Sequence, residues 1–209
     1  MTISALASAG GTLVLAGVTV ASVRSANRAA RVAEQSLLAG QRPLLVPSRA
    51  EDPAVKAGFQ DDAWFLVPGG QGIAQATDGA DYFVISIRNV GTGIAVLHGW
   101  HLIPELVLQR DAHVTPPPLE EFITLTRDLY VAPGEIGFWQ GSFRDRDSEE
   151  FQAARRALES SMPVTIEILY GDHEGGQRTI SRFALTPRDD GGWVASVGRH
   201  WNIDRPDPR

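Results

Sequence analysis

The sequence predicts a mainly β domain, a sandwich with one or two short inserted helices, preceded by a long N-terminal transmembrane and stalk helix. Three observations carry this expectation. No charged residue occurs from Ile3 to Val23. After Gly40, short alternating apolar runs separated by glycine and proline turns replace the helical pattern. With 209 residues, 43% hydrophobic and 21% charged, the chain holds material for one globular domain plus an appendage.

The uncharged segment comes first. About 20 residues at roughly 1.5 Å rise cross a hydrocarbon core of about 30 Å. Ser4, Ser8, Thr12, Thr19 and Ser22 dilute its hydrophobicity, but a helix satisfies such hydroxyls on its own carbonyls. A cleaved signal peptide would need a positive start, where Met1 and Thr2 offer only the terminal amine. A buried soluble helix is the other alternative, and this stretch is long for one. Arg24, Arg28 and Arg31 flank the span on its C-terminal side, and nothing positive precedes it. The positive-inside rule then places the N-terminus outside and the domain in the cytoplasm, with the lipid bilayer as partner.

Small residues recur at four-residue spacing, as in Ala5/Ala9, Ala7/Gly11 and Gly17/Ala21. Such faces let helices approach closely in lipid, so Gly10 and Gly17 are candidate association positions for a homo-oligomer or a protein partner. Val23, Ala26, Ala30, Ala33 and Leu37 continue a heptad-like stripe into water, and Gly40 with Pro43 supplies a stop. The expected organisation is therefore a span and stalk over 1–40, a sandwich over 41–201 and a frayed tail over 202–209.

Strands are expected at Pro43–Pro47, Trp64–Val67, Tyr82–Arg88, Ile94–Ile103, Ile136–Phe143, Val164–Tyr170, Arg178–Leu185 and Trp193–Trp201. One amphipathic helix interrupts them. Asp147 with Glu150 reads as its capping pair, Phe151, Ala154 and Leu158 line one face, and Pro163 ends it. A shorter helix is expected over Leu119–Leu125, after Pro116–Pro118. Helices this few do not alternate with the strands as a parallel sheet would require.

Three turn motifs carry a resemblance. Asn89-Val90-Gly91-Thr92-Gly93, Ala132-Pro133-Gly134-Glu135 and Tyr170-Gly171-Asp172-His173-Glu174-Gly175 occur in that order. They resemble the turns of uncharacterised bacterial single-pass membrane-anchored proteins with an immunoglobulin-like β-sandwich domain. The resemblance implies an immunoglobulin-like architecture for the domain and transfers no catalytic residue to it.

The chemistry is sparse. Without cysteine there is no disulfide, thiolate zinc site or cysteine nucleophile. The net charge of −6 is divided unevenly, because five arginines against Glu34 make residues 1–49 +4 and leave −10 for the remainder. An acidic domain repels phosphates, so no nucleic-acid partner is expected. His98 and His101 stand three apart on an expected strand, where period-two geometry sends them to opposite faces. Asp172, His173 and Glu174 form the best local set of ligands for a small molecule or metal, although an Asx turn explains the aspartate as well.

Gly91-Thr92-Gly93 has Val96 where a dinucleotide loop needs its third glycine, and Gly141-Ser142-Phe143 lacks the setting of a nucleophile elbow. The two Gly-Gly-Gln tripeptides read as hairpin turns. Glu120/Glu121 and Glu149/Glu150 read as helix starts, where the macrodipole favours negative charge. No cofactor is expected. Three functional readings follow: a non-catalytic interaction module at the membrane, an enzyme or small-ligand sensor near residues 172–174 with Arg127 or Asp128, and an oligomerising membrane helix.

Overall fold

The computed structural model describes residues 19–34, 36–37, 40–107 and 115–204. The chain divides into two compact units, Met1–Gly40 and Gln41–Arg209. In the first, residues 19–34 form helix α1, rich in alanine and arginine, both good helix formers. It is exposed along its described length, Arg24, Arg28 and Arg31 included. Most of the expected span, with Gly10 and Gly17, lies outside the described residues. Among the described residues no helix is long and apolar enough to cross a membrane.

The second unit is mainly β. Its strands are β1 (Leu45–Pro47), β2 (Val55–Gly58), β3 (Trp64–Val67), β4 (Gln71–Ala76), β5 (Asp81–Asn89), β6 (Ala95–Ile103), β7 (Ile123–Val131), β8 (Ile136–Phe143), β9 (Val164–Gly171), β10 (Arg178–Pro187) and β11 (Trp193–Asn202), with helix α2 (Glu149–Glu159) before β9. All pairings are antiparallel. One curled sheet runs β1-β5-β4-β11-β10-β9-β6-β7, β8 adds to β5, and β2 with β3 forms a separate hairpin. Because β8 and β1 both pair with residues 87–88, they must flank β5 on opposite sides. Among the described residues, the ladder that joins the two halves of the sheet is short, Gln71 and Gly72 of β4 meeting Val194 and Trp193 of β11.

Period-two alternation explains why β5 is central. Phe83, Ile85 and Ile87 enter the main core, while Tyr82 and Val84 enter a second cluster with Ala57, Phe59 and Val67 under the β2–β3 hairpin. Both faces are therefore apolar. In β9, Val164, Ile166, Ile168 and Tyr170 fill the main core, and the intervening Thr165 and Glu167 take the other face. Helix α2 closes the main core with Phe151, Ala154, Ala157 and Leu158.

The structure corrects several expectations. Strands β2, β4 and β7 were not anticipated, because Val55–Gly58 and Gln71–Ala76 are rich in Gly, Ala and Gln, poor β formers. The helix expected over Leu119–Leu125 is only a 3-10 turn, Leu119–Glu121, after which Ile123-Thr124-Leu125 extends into β7. Helix α2 is capped by Ser148, whose hydroxyl accepts the Phe151 N–H at 3.1 Å, so the cap falls one residue after Asp147. The tail expected to fray from Asn202 is held through Asp204, which pairs with Arg42 at 2.5 Å and accepts the Arg178 N–H at 3.1 Å. Burial acts to raise the Asp204 pKa, but the Arg42 hydrogen bond, the Arg178 N–H and the Arg42 charge together bring it below its ordinary value.

Candidate functional site

The sequence-nominated ligands do not converge. Asp172 is buried, its Oδ1 accepts the Gly176 N–H at 2.8 Å, and its carbonyl accepts that of Gly175 at 3.2 Å. Its carboxylate is spent on closing the β9–β10 turn, where Gly175 adopts φ +76°. His173 and Glu174 are both exposed and only 4.0 Å apart. Among the described residues no group of three or more His, Asp or Glu side chains could hold a metal ion. His101 hydrogen-bonds Glu167 at 3.0 Å, and His98 packs beside Gly171.

The three turn motifs meet at one place instead. The buried Asn89 side chain donates to the carbonyls of Gly93 at 2.7 Å and Val131 at 2.9 Å, and accepts N–H bonds from Gly91 at 3.0 Å and Leu44 at 3.2 Å. That is its full complement. Its backbone pairs with the Pro133–Gly134 turn through Gly134 N–H and Glu135 O. Gly91 and Gly93 let residues 41–44 pass, since a β-carbon on Gly93 would stand 1.7 Å from the Gln41 carbonyl oxygen. Tyr170 completes the junction, its hydroxyl accepting the Leu45 N–H at 3.2 Å and lying 2.8 Å from Ser181 Oγ. Ser181 Oγ in turn lies 2.6 Å from His200 Nδ1. Ser181 is fully buried, which leaves this serine–histidine pair no access to a substrate.

Charged pairs elsewhere hold the fold. Glu167, fully buried, receives Arg182 Nε at 2.7 Å and Nη2 at 2.5 Å, with the Arg182 guanidinium 4.8 Å from the Trp201 ring centre. Arg155 reaches from α2 to Asp81 Oδ1 at 2.7 Å and to the Thr77 carbonyl at 2.6 Å.

An open cleft lies where β7 and β8 diverge. The strands leave the Pro133–Gly134 turn in contact, because Gly137 lacks the β-carbon that would sit 2.8 Å from Val131 Cγ2. They do not pair with each other: β7 pairs with β6 and β8 with β5. The gap between them is a cavity of about 150 Å³. Trp100 forms its floor, packed edge-to-face on Trp139 with ring centres 5.4 Å apart. Thr124, Thr126 and Ser142 give its walls hydroxyls, and Arg127 and Arg144 carry its charge.

Arg127 and Gln140 both donate to the Gly58 carbonyl, each at 3.1 Å. Gln140 Oε1 is shut off from solvent without a hydrogen-bond donor. Arg144 pairs with Asp61 at 3.2 Å. A hydrogen bond from the Tyr82 hydroxyl keeps the Asp61 carboxyl below its usual range, and burial pushes Tyr82 upward. None of residues 172–174 lines this cleft. Sequence reasoning missed it because a helix expected over Leu119–Leu125 covers the first part of β7, and because nothing in the sequence marks the outer edge of β8. Near it, Trp64 lies exposed across Gly58 with the Lys56 ammonium 4.5 Å from its ring centre.

No family model matches the chain, and no curated protein matches it. Among solved structures the chain is similar to a β-glucosidase from Kluyveromyces marxianus at 13% identity and a TM-score of 0.23, over 63% of this chain. The chain spans about 14% of that enzyme's length, and at such a score the likeness does not establish a shared fold.

Proposed function

We propose that this chain is a membrane-anchored, non-catalytic recognition module: an immunoglobulin-like sandwich tethered by its N-terminal segment, with the N-terminus outside and the domain cytoplasmic. The observation that carries the recognition role is the β7–β8 cleft, an aromatic floor and hydroxyl walls between two strand edges that do not pair with each other. The convergence of the three turn motifs on residues 44–45, through Asn89 and Tyr170, supports the immunoglobulin-like reading, since it gives each motif one structural task. The uncharged run before Arg24, Arg28 and Arg31 supports the anchor and its orientation. The alternative, a ligand sensor or metal-assisted enzyme at the 172–174 turn, draws no support from an aspartate engaged in its own turn beside two exposed side chains.

Two experiments test the reading. Alkaline-carbonate extraction should leave the full chain in the membrane pellet, and protease added to intact cells should spare the domain. Release by carbonate ends the anchor, and digestion from outside reverses the topology. Pull-down from solubilised membranes should recover a reproducible partner that is lost with Thr126→Trp, a substitution that fills the cleft from its wall. A partner indifferent to that change, or none at all, overturns the recognition role.

A further inference from the structure

We infer that the β7–β8 cleft receives an extended, carboxylate-bearing polypeptide segment that adds as a strand between the two edges. This rests on the recognition role above and names its partner class.

The backbone argues for a strand. Strand β7 ends the sheet order and pairs only with β6 among the described strands, so its edge towards β8 carries no ladder. Among the described residues, the edge of β8 away from β5 is likewise without a ladder. Peptide groups along such edges are donors and acceptors that a neighbouring strand satisfies. A bulge with a charge is also a device for repelling strands, but a repelling arginine points outward. Arg127 instead folds back to the Gly58 carbonyl and becomes part of the wall.

Size and shape exclude a compact ligand. Sites for small molecules usually enclose roughly 300–1,000 Å³, and this cavity holds about 150 Å³, room for one side chain. The wall from Ile123 to Leu129, by contrast, extends for roughly 20 Å at strand rise. An occupant that lies along the edges and sinks one side chain toward Trp100 matches both dimensions.

Charge selects the sequence of that segment. Among the described residues the lining holds two arginines and no carboxylate, in a chain whose net charge is −6. Asp61 answers Arg144, while the hydrogen bond that Arg127 makes goes to a neutral carbonyl, which leaves its charge for an acidic side chain.

The test uses the full chain in detergent micelles and a capped peptide of about eight residues alternating Glu and Val, long enough to span the cleft. Saturable binding should protect the backbone amides of residues 124–128 and 140–142 from hydrogen exchange. N-methylating alternate peptide amides, replacing Glu by Lys, or Arg127→Gln in the protein should each weaken binding about tenfold or more, a difference of about 1.4 kcal/mol. Equal binding of the N-methylated peptide, protection elsewhere, full competition by free glutarate, or no saturation at millimolar peptide overturns the proposal. If the peptide fails while a membrane partner is still lost with Thr126→Trp, strand addition falls and the recognition role stands. If both fail, both fall.

Discussion

Arg155 Nε donates to Asp81 Oδ1 across 2.7 Å, and through this pair helix α2 is fastened to the central strand β5. Asp81 is fully buried while Arg155 keeps some contact with water. Burial outweighs the arginine and raises the Asp81 pKa above its ordinary 3.8. Removing the arginine strands the carboxylate, so Arg155→Ala should cost about 3 kcal/mol. The sign with pH follows. A carboxyl raised in the folded state binds protons more tightly there, so its contribution is greatest below pH 3.8 and is lost as pH rises through the raised value. Asp81→Asn should flatten that part of the stability profile, measured by urea unfolding between pH 3 and 7. A profile with unchanged slope would remove Asp81 as its source.

Tyr170 should resist ionisation. Burial pushes its pKa up to about 12, because the ring is enclosed among Leu45, Ser181 and the main core. Its stabilising contribution is complete below pH 10 and is lost as pH rises from 10 towards 12. The other two tyrosines are also shifted upward, Tyr82 by burial and Tyr130 by its hydrogen bond to Asp128. A spectrophotometric titration should therefore show one tyrosine appearing only with alkaline unfolding, and Tyr170→Phe should abolish that step. The same variant should lose about 2 kcal/mol at neutral pH, because the buried Leu45 N–H is left without an acceptor.

Gly93 is a position where space alone decides. A β-carbon there meets the Gln41 carbonyl oxygen at 1.7 Å, and one on Gly91 meets that of Arg42 at 2.3 Å. Both obstacles are backbone, fixed where the Arg42 carbonyl accepts the Thr92 N–H and Asn89 accepts the Leu44 N–H. Gly93→Ala should destabilise the domain by about 3 kcal/mol or more, beyond ordinary overpacking. Gly79→Ala, with nothing within 4 Å of the added carbon, is the control and should be nearly neutral.

These cases show what a sequence exposes. Strands whose alternation is strong, such as Tyr82–Arg88, are legible because the core enforces period two on them. The glycines of Asn89–Gly93 are legible as a turn, but their reason is not, since the chain they admit lies more than 45 residues earlier. Strand β7 is hidden because Pro116–Pro118 reads as the start of a helix over Leu119–Leu125, and because the alternation of Ile123, Leu125 and Leu129 breaks at Arg127. The cleft inherits that invisibility. It is made by two edges failing to pair, a property of topology rather than of any residue. Of the cleft's lining, Arg127 stands out in the sequence as a site residue, but in company with a turn that does not reach it.

The turn at residues 172–174 separates a structural aspartate from a ligand set. If Asp172 serves only to close the β9–β10 turn, Asp172→Ala should cost about 1 kcal/mol, the worth of its bond to the Gly176 N–H. Asp172→Asn keeps an acceptor and should cost a few tenths. His173→Ala and Glu174→Ala, at exposed positions, should stay within about 0.5 kcal/mol. Added zinc or calcium discriminates further, because a ligand bound only by the folded state raises stability with its concentration. The melting temperature should not move with millimolar metal in the wild-type chain. A rise that disappears in both His173→Ala and Glu174→Ala would restore the metal site, because no rearrangement of a lone Asx turn links those two side chains to an ion.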